Sequence, residues 1–98
     1  MNQTDDGKAY ARRTCFAQAS ELMPRLNQRG ISEADLWDYV KADYGVDSRS
    51  ELTAEQWLRT AARLKTAQNY RQMFGLLCET IKTHKLFREV ADAETEAA

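Results

Sequence analysis

The chain is poor in several things at once. It has one proline, one histidine, two cysteines and four glycines in 98 residues. Two cysteines far apart, Cys15 and Cys78, make no disulfide framework, so they read as free thiols of a cytoplasmic protein, each a small apolar group. The glycines Gly7, Gly30, Gly45 and Gly75 are isolated, which excludes a phosphate-cradling loop. No apolar run approaches the roughly 18–20 residues of a membrane span, and Met1–Tyr10 lacks a basic-then-apolar leader pattern. β-branched residues never alternate over a run, so strand signals are nearly missing.

What is present is helix. Hydrophobic residues make up 43% and charged residues 30%, the balance of an ordinary globular chain. From Lys8 to Gln28, Phe16, Ala19, Leu22, Met23 and Leu26 fall on a 3.6-residue period. Pro24 interrupts that stripe and predicts a kink or stop near Met23, with Gly30 as a C-terminal cap. Two helix starts then carry the same device. Ile31-Ser32-Glu33-Ala34-Asp35-Leu36 places Ser32 at the N-cap, Asp35 at the third position, and Ile31 and Leu36 as a hydrophobic staple. Leu52-Thr53-Ala54-Glu55-Gln56-Trp57 repeats it with Thr53, Gln56, and the staple Leu52–Trp57.

The first of these helices, 33–44, turns Leu36, Trp37, Val40 and Tyr44 to one side and ends at Gly45, with Asp47–Ser50 as a polar connector. After Thr53 no breaker appears for about forty residues, yet the apolar face changes side. Trp57, Ala61 and Leu64 cluster opposite Tyr70, Met73, Phe74, Leu77, Ile81 and His84. One straight helix cannot bury both sets, so a turn is expected near Lys65–Asn69, with Thr66 and Asn69 as caps. The expectation is an all-α bundle of three to four helices forming a single domain over 1–90. Residues 91–98 form an acidic tail expected to fray.

The net charge of −1 conceals segregation. Residues 31–56 carry the acids Glu33, Asp35, Asp38, Asp43, Asp47, Glu51 and Glu55 against Lys41 and Arg49. Residues 57–88 carry Arg59, Arg63, Lys65, Arg71, Lys82, Lys85 and Arg88 against Glu79 alone. The tail returns to acid with Glu89, Asp92, Glu94 and Glu96. Two readings follow. An acidic helix can lie beside basic ones within a bundle, or the basic stretch can meet an acidic partner, protein or nucleic acid.

Candidate chemistry is sparse. His84 has no second ligand or base in helical register, and no HxxxH, CxxC or DxD spacing occurs. The acids of 33–47 lack the spacing and glycine of a calcium loop. The chain therefore reads as a non-enzyme with no catalytic residue, metal or cofactor. Arg71, Lys82 and Lys85 share one face by the 100° step, and with Arg59 and Arg63 they form the candidate face for a partner or for a phosphate backbone. Tyr70, Phe74, Leu77, Ile81 and His84 follow the 4-3-4-3 spacing of a helix–helix seam, which serves either as core or as a homodimer face.

The residues Gly30-Ile31-Ser32, Leu36, Tyr44-Gly45-Val46 and Ser50-Glu51-Leu52-Thr53 through Gln56 resemble a module of phage recombination proteins. The module is the C-terminal helical part of single-strand annealing proteins of the lambda beta family. Similar endings occur in phage antirepressors. The resemblance spans Met23 to Leu64. It implies a three-helix body that contacts a partner exonuclease and a single-strand binding protein, and a cytoplasmic adaptor or inhibitor in phage DNA recombination or host defence. Annealing belongs to a separate, larger domain for which this chain has no room, and the helix over 70–90 departs from the pattern. Direct DNA binding by the basic face and assembly through the seam stand as the other two readings.

Overall fold

The computed structural model describes residues 3–97, with side chains described over 7–94. Four helices account for nearly all of it: α1 (Gln3–Gln28), α2 (Glu33–Tyr44), α3 (Ala54–Asn69) and α4 (Arg71–Ala97), with a 3-10 turn at Arg49–Glu51 between α2 and α3. There is no strand among the described residues, and the chain is a small all-α bundle.

Both helix starts form as their residues dictate. The Ser32 hydroxyl accepts the Asp35 N–H at 3.1 Å while the Asp35 carboxylate accepts the Ser32 N–H at 3.0 Å. That backbone N–H holds the Asp35 carboxyl below its ordinary range, against the effect of partial burial, with Lys85 adding to it. At α3 the Thr53 hydroxyl accepts the Gln56 N–H at 3.1 Å, and Gln56 Oε1 accepts the Thr53 N–H at 2.9 Å. Ile31 with Leu36, and Leu52 with Trp57, are buried beside these caps. Replacing Thr53 by Ala strips one orphan amide of its acceptor, and should cost about 1 kcal/mol of stability; a urea denaturation midpoint reads it directly.

The helix ends are equally determined. At the end of α1 the Ile31 N–H reaches back to the Leu26 carbonyl and the Gly30 N–H to Asn27, both at about 3.0 Å. Val46 and Gly45 do the same to Lys41 and Ala42. This paired closure needs a residue at positive φ, and Gly30 (78°) and Gly45 (68°) supply it.

Two local expectations are corrected. Pro24 does not stop α1, which continues as helix to Gln28. The proline lies on the exposed side of the helix, so it removes only one backbone bond there, while Ala19, Leu22 and Leu26 stay packed on either side of it. The turn between α3 and α4 falls one residue later than the caps suggest, at Tyr70, whose extended backbone (φ −128°, ψ 119°) breaks the helix. The Thr66 hydroxyl bonds the Ala62 carbonyl, and Tyr70 N–H is accepted by the Thr66 carbonyl, so neither Thr66 nor Asn69 caps through its side chain. Beyond Val90 the backbone keeps helical form through the acidic segment to Ala97; Ala98 lies outside the described residues.

Packing orders the helices. Lys8 reaches the Ser50 carbonyl and Gln68 reaches Glu21, so α1 and α3 run parallel, with α4 folding back along α3. Small residues make the close approach possible: Ala11, Cys15 and Ala19 on α1, Ala61 and Ala67 on α3, all buried. At one end Phe16, Trp37 and Trp57 meet edge to face with centroids 5.3–5.9 Å apart. Phe74, Leu77, Cys78 and Ile81 of α4 close the core from the other side.

Candidate binding surface

The acidic helix and the basic helices are neighbours, and much of the segregated charge is neutralised between them. Lys85 lies 3.4 Å from Asp35, Arg88 pairs with Asp38, and Arg63 lies 3.2 Å from Asp43 while donating to the Tyr39 hydroxyl at 2.7 Å. Burial works against the Arg63 charge, but Tyr39 and Asp43 outweigh it and its pKa is raised. Arg59 pairs with Glu55 one turn back on its own helix, at 2.7 Å. Of the five sequence-selected cations, then, Arg59, Arg63 and Lys85 have carboxylate partners. Only Arg71 and Lys82 are without an ion pair among the described residues.

Those two are joined by cations that the sequence reading did not select. The C-terminal end of α1 lies against α4, with the Arg25 guanidinium 4.2 Å and the Arg29 guanidinium 5.4 Å from the centroid of the Phe74 ring. Arg25 also donates to the Gln68 carbonyl at 3.1 Å. Burial raises the Cys78 pKa, and the charges that oppose the rise are those of Arg29, Lys82 and Arg25. The three cations therefore surround one point on α4. Arg71 shares the face of Lys82, since eleven residues at 100° return almost to the same direction. Arg25, Arg29, Arg71 and Lys82 thus form a basic patch across the α1–α4 boundary, and none of the four has an ion-pair partner among the described residues. Arg25 and Arg29 escaped sequence reasoning because they lie over forty positions before Arg71. Only the packing of α1 on α4 unites them.

The seam residues divide. Phe74, Leu77 and Ile81 are buried in the chain's own core, so the 4-3-4-3 pattern joins helices of one molecule. Tyr70 stands exposed at the α3–α4 corner, and His84 is half-buried edge-on to Tyr39 at 6.0 Å. The free thiols are both buried, and desolvation pushes Cys15 up to about 12, which leaves it inert as a nucleophile at neutral pH. A concavity of about 500 Å³ lies elsewhere, between α1 and α2 beneath Arg49, lined by Phe16, Met23 and Trp37. Arg49 stacks there over the Phe16 and Trp37 rings at 5.3 and 5.2 Å, holding the α2–α3 connection against the aromatic cluster. Among the described residues no three His, Cys, Asp or Glu side chains come together as a metal-binding group, and no helix is long and apolar enough to cross a membrane. No family model, curated protein or solved structure matches the chain.

Proposed function

We propose that this chain acts by binding and not by catalysis, as a cytoplasmic adaptor or inhibitor that docks on an acidic surface of a protein of DNA metabolism or host defence. The observation that carries the reading is the patch of Arg25, Arg29, Arg71 and Lys82, left without carboxylates in a molecule that pairs Arg63, Lys85 and Arg88 with acids on α2. Exposed ion pairs are worth only about 0–1 kcal/mol each, so unpaired like charges gathered on one face do little for folding. Such a field instead draws in an opposite charge and speeds the encounter. The partner class comes from the resemblance of Gly30–Gln56 to the docking module of phage annealing proteins, which supports a phage or mobile-element setting for the chain.

The experiment is capture from a nuclease-treated bacterial lysate on the immobilised chain, beside the variant Arg29→Glu/Arg71→Glu/Lys82→Glu. Arg25 is left in place because it also packs on Phe74. A captured protein should associate roughly 10–100-fold more slowly with the variant, and the salt dependence should fall with it. Equal capture by both would overturn the reading. A duplex oligonucleotide titrated across a salt series tests the alternative: a steep loss of affinity with salt, abolished in the variant, would make the patch a phosphate-backbone site.

A further inference from the structure

α4 carries a second stripe that its own core does not use. Met73, Leu76, Thr80, Thr83, Phe87 and Val90 are spaced 3-4-3-4-3, the spacing of a helix–helix seam, and they lie on a different side from Phe74, Leu77 and Ile81. Met73, Leu76, Phe87 and Val90 remain 43%, 55%, 71% and 53% exposed. A row of large apolar groups on so small a protein marks a surface that another protein covers.

The two halves of the stripe are unlike. Toward the Tyr70 corner, Met73, Leu76 and Thr80 border α3, and with Ala62, Thr66 and Leu77 they line a groove of about 230 Å³. Toward the C-terminus α4, at 27 residues against the 16 of α3, runs past the start of its neighbour. Phe87 and Val90 project there with no α3 beside them. One end is a groove and the other a pair of knobs, both on one helix.

We infer that a second copy of this chain covers this face, with the two α4 helices antiparallel. Reversal sets Met73 of each copy opposite Val90 of the other, Leu76 opposite Phe87, and Thr80 opposite Thr83, so each groove receives the other's knobs. The contact is isologous and closes on itself. Its middle is made of small residues, and Thr80 turns its hydroxyl to the Leu76 carbonyl at 2.8 Å, leaving a methyl group to face the partner.

Charge selects the same arrangement. The stripe continues into Glu94, and reversal brings that carboxylate to the corner of the other copy, where Lys65 precedes the turn and is not ion-paired among the described residues. A parallel pair would instead set Glu94 beside its own copy, and the two carboxylates repel. The basic patch lies on another side of α4 and stays open in the dimer.

Sedimentation equilibrium of the full chain tests this across a concentration series. The expected result is reversible association from 11.2 kDa to twice that mass, with Leu76→Glu and Phe87→Glu each weakening it about 30-fold or more. Both residues are exposed, so circular dichroism of the variants should stay at the wild-type helicity. A chain bearing Leu76→Cys, mixed and oxidised with one bearing Phe87→Cys, should cross-link to it in preference to itself; Cys15 and Cys78 are buried and do not compete. A wild-type chain that stays monomeric up to about 1 mM, a dimer indifferent to Phe87→Glu, or preferential Leu76→Cys self-cross-linking would each overturn the inference. None of these outcomes bears on the basic patch, which is tested separately.

Discussion

Replacing Trp57 by Ala should cost about 3–5 kcal/mol, a large share of what a domain of this size has to lose. The indole is fully enclosed. It sits where three helices meet, edge-on to Phe16 of α1 at 5.3 Å and to Trp37 of α2 at 5.9 Å. It is also the staple of the α3 cap with Leu52, so its loss weakens both the core and the start of α3. Trp57→Phe should be much milder. The Trp57 Nε1 is buried without a hydrogen-bond acceptor, and a phenyl ring keeps most of the packing while removing a polar group that gains nothing there. Thermal or urea unfolding of the two variants separates the effects. Equal losses would mean that the indole nitrogen has a partner in solution.

This cluster shows which parts of the molecule the sequence encodes locally. The starts of α2 and α3 and the ends of α1 and α2 each depend on residues within six positions of one another, and capping boxes and glycine closures can be read without knowing what packs where. The fate of Pro24 could not. Whether a proline stops a helix depends on which side it faces and on the packing that holds the flanking turns, and both belong to the bundle. The same division runs through the charges. The acidic 33–55 and basic 59–88 stretches are legible as composition, but Asp35, Asp38 and Asp43 could be matched to Lys85, Arg88 and Arg63 only once α2 lay against α3 and α4. That pairing uses up three of the cations that composition alone offers to a partner. It shifts the open basic surface to Arg71 and Lys82, with Arg25 and Arg29 contributed by α1.

The two stripes of α4 give the last expected result, because they obey the same spacing and differ only in what covers them. Ile81 is fully buried in the inner stripe. Ile81→Ala should therefore destabilise the chain by about 2–5 kcal/mol, at any protein concentration, through the transfer and cavity terms. Tyr70 belongs to the same 4-3-4-3 pattern but is 64% exposed at the corner, so Tyr70→Ala should stay within about 0.5 kcal/mol. Leu76, in the outer stripe, should behave in a third way. Leu76→Ala should leave the unfolding midpoint unchanged in dilute solution and lower it at high concentration, where a dimer adds stability by mass action. Denaturation of the three variants at two protein concentrations thus assigns each stripe to its work. A large loss for Tyr70→Ala, or a small one for Ile81→Ala, would mean that the helix is rotated from the face described, and the core and outer stripes would exchange roles.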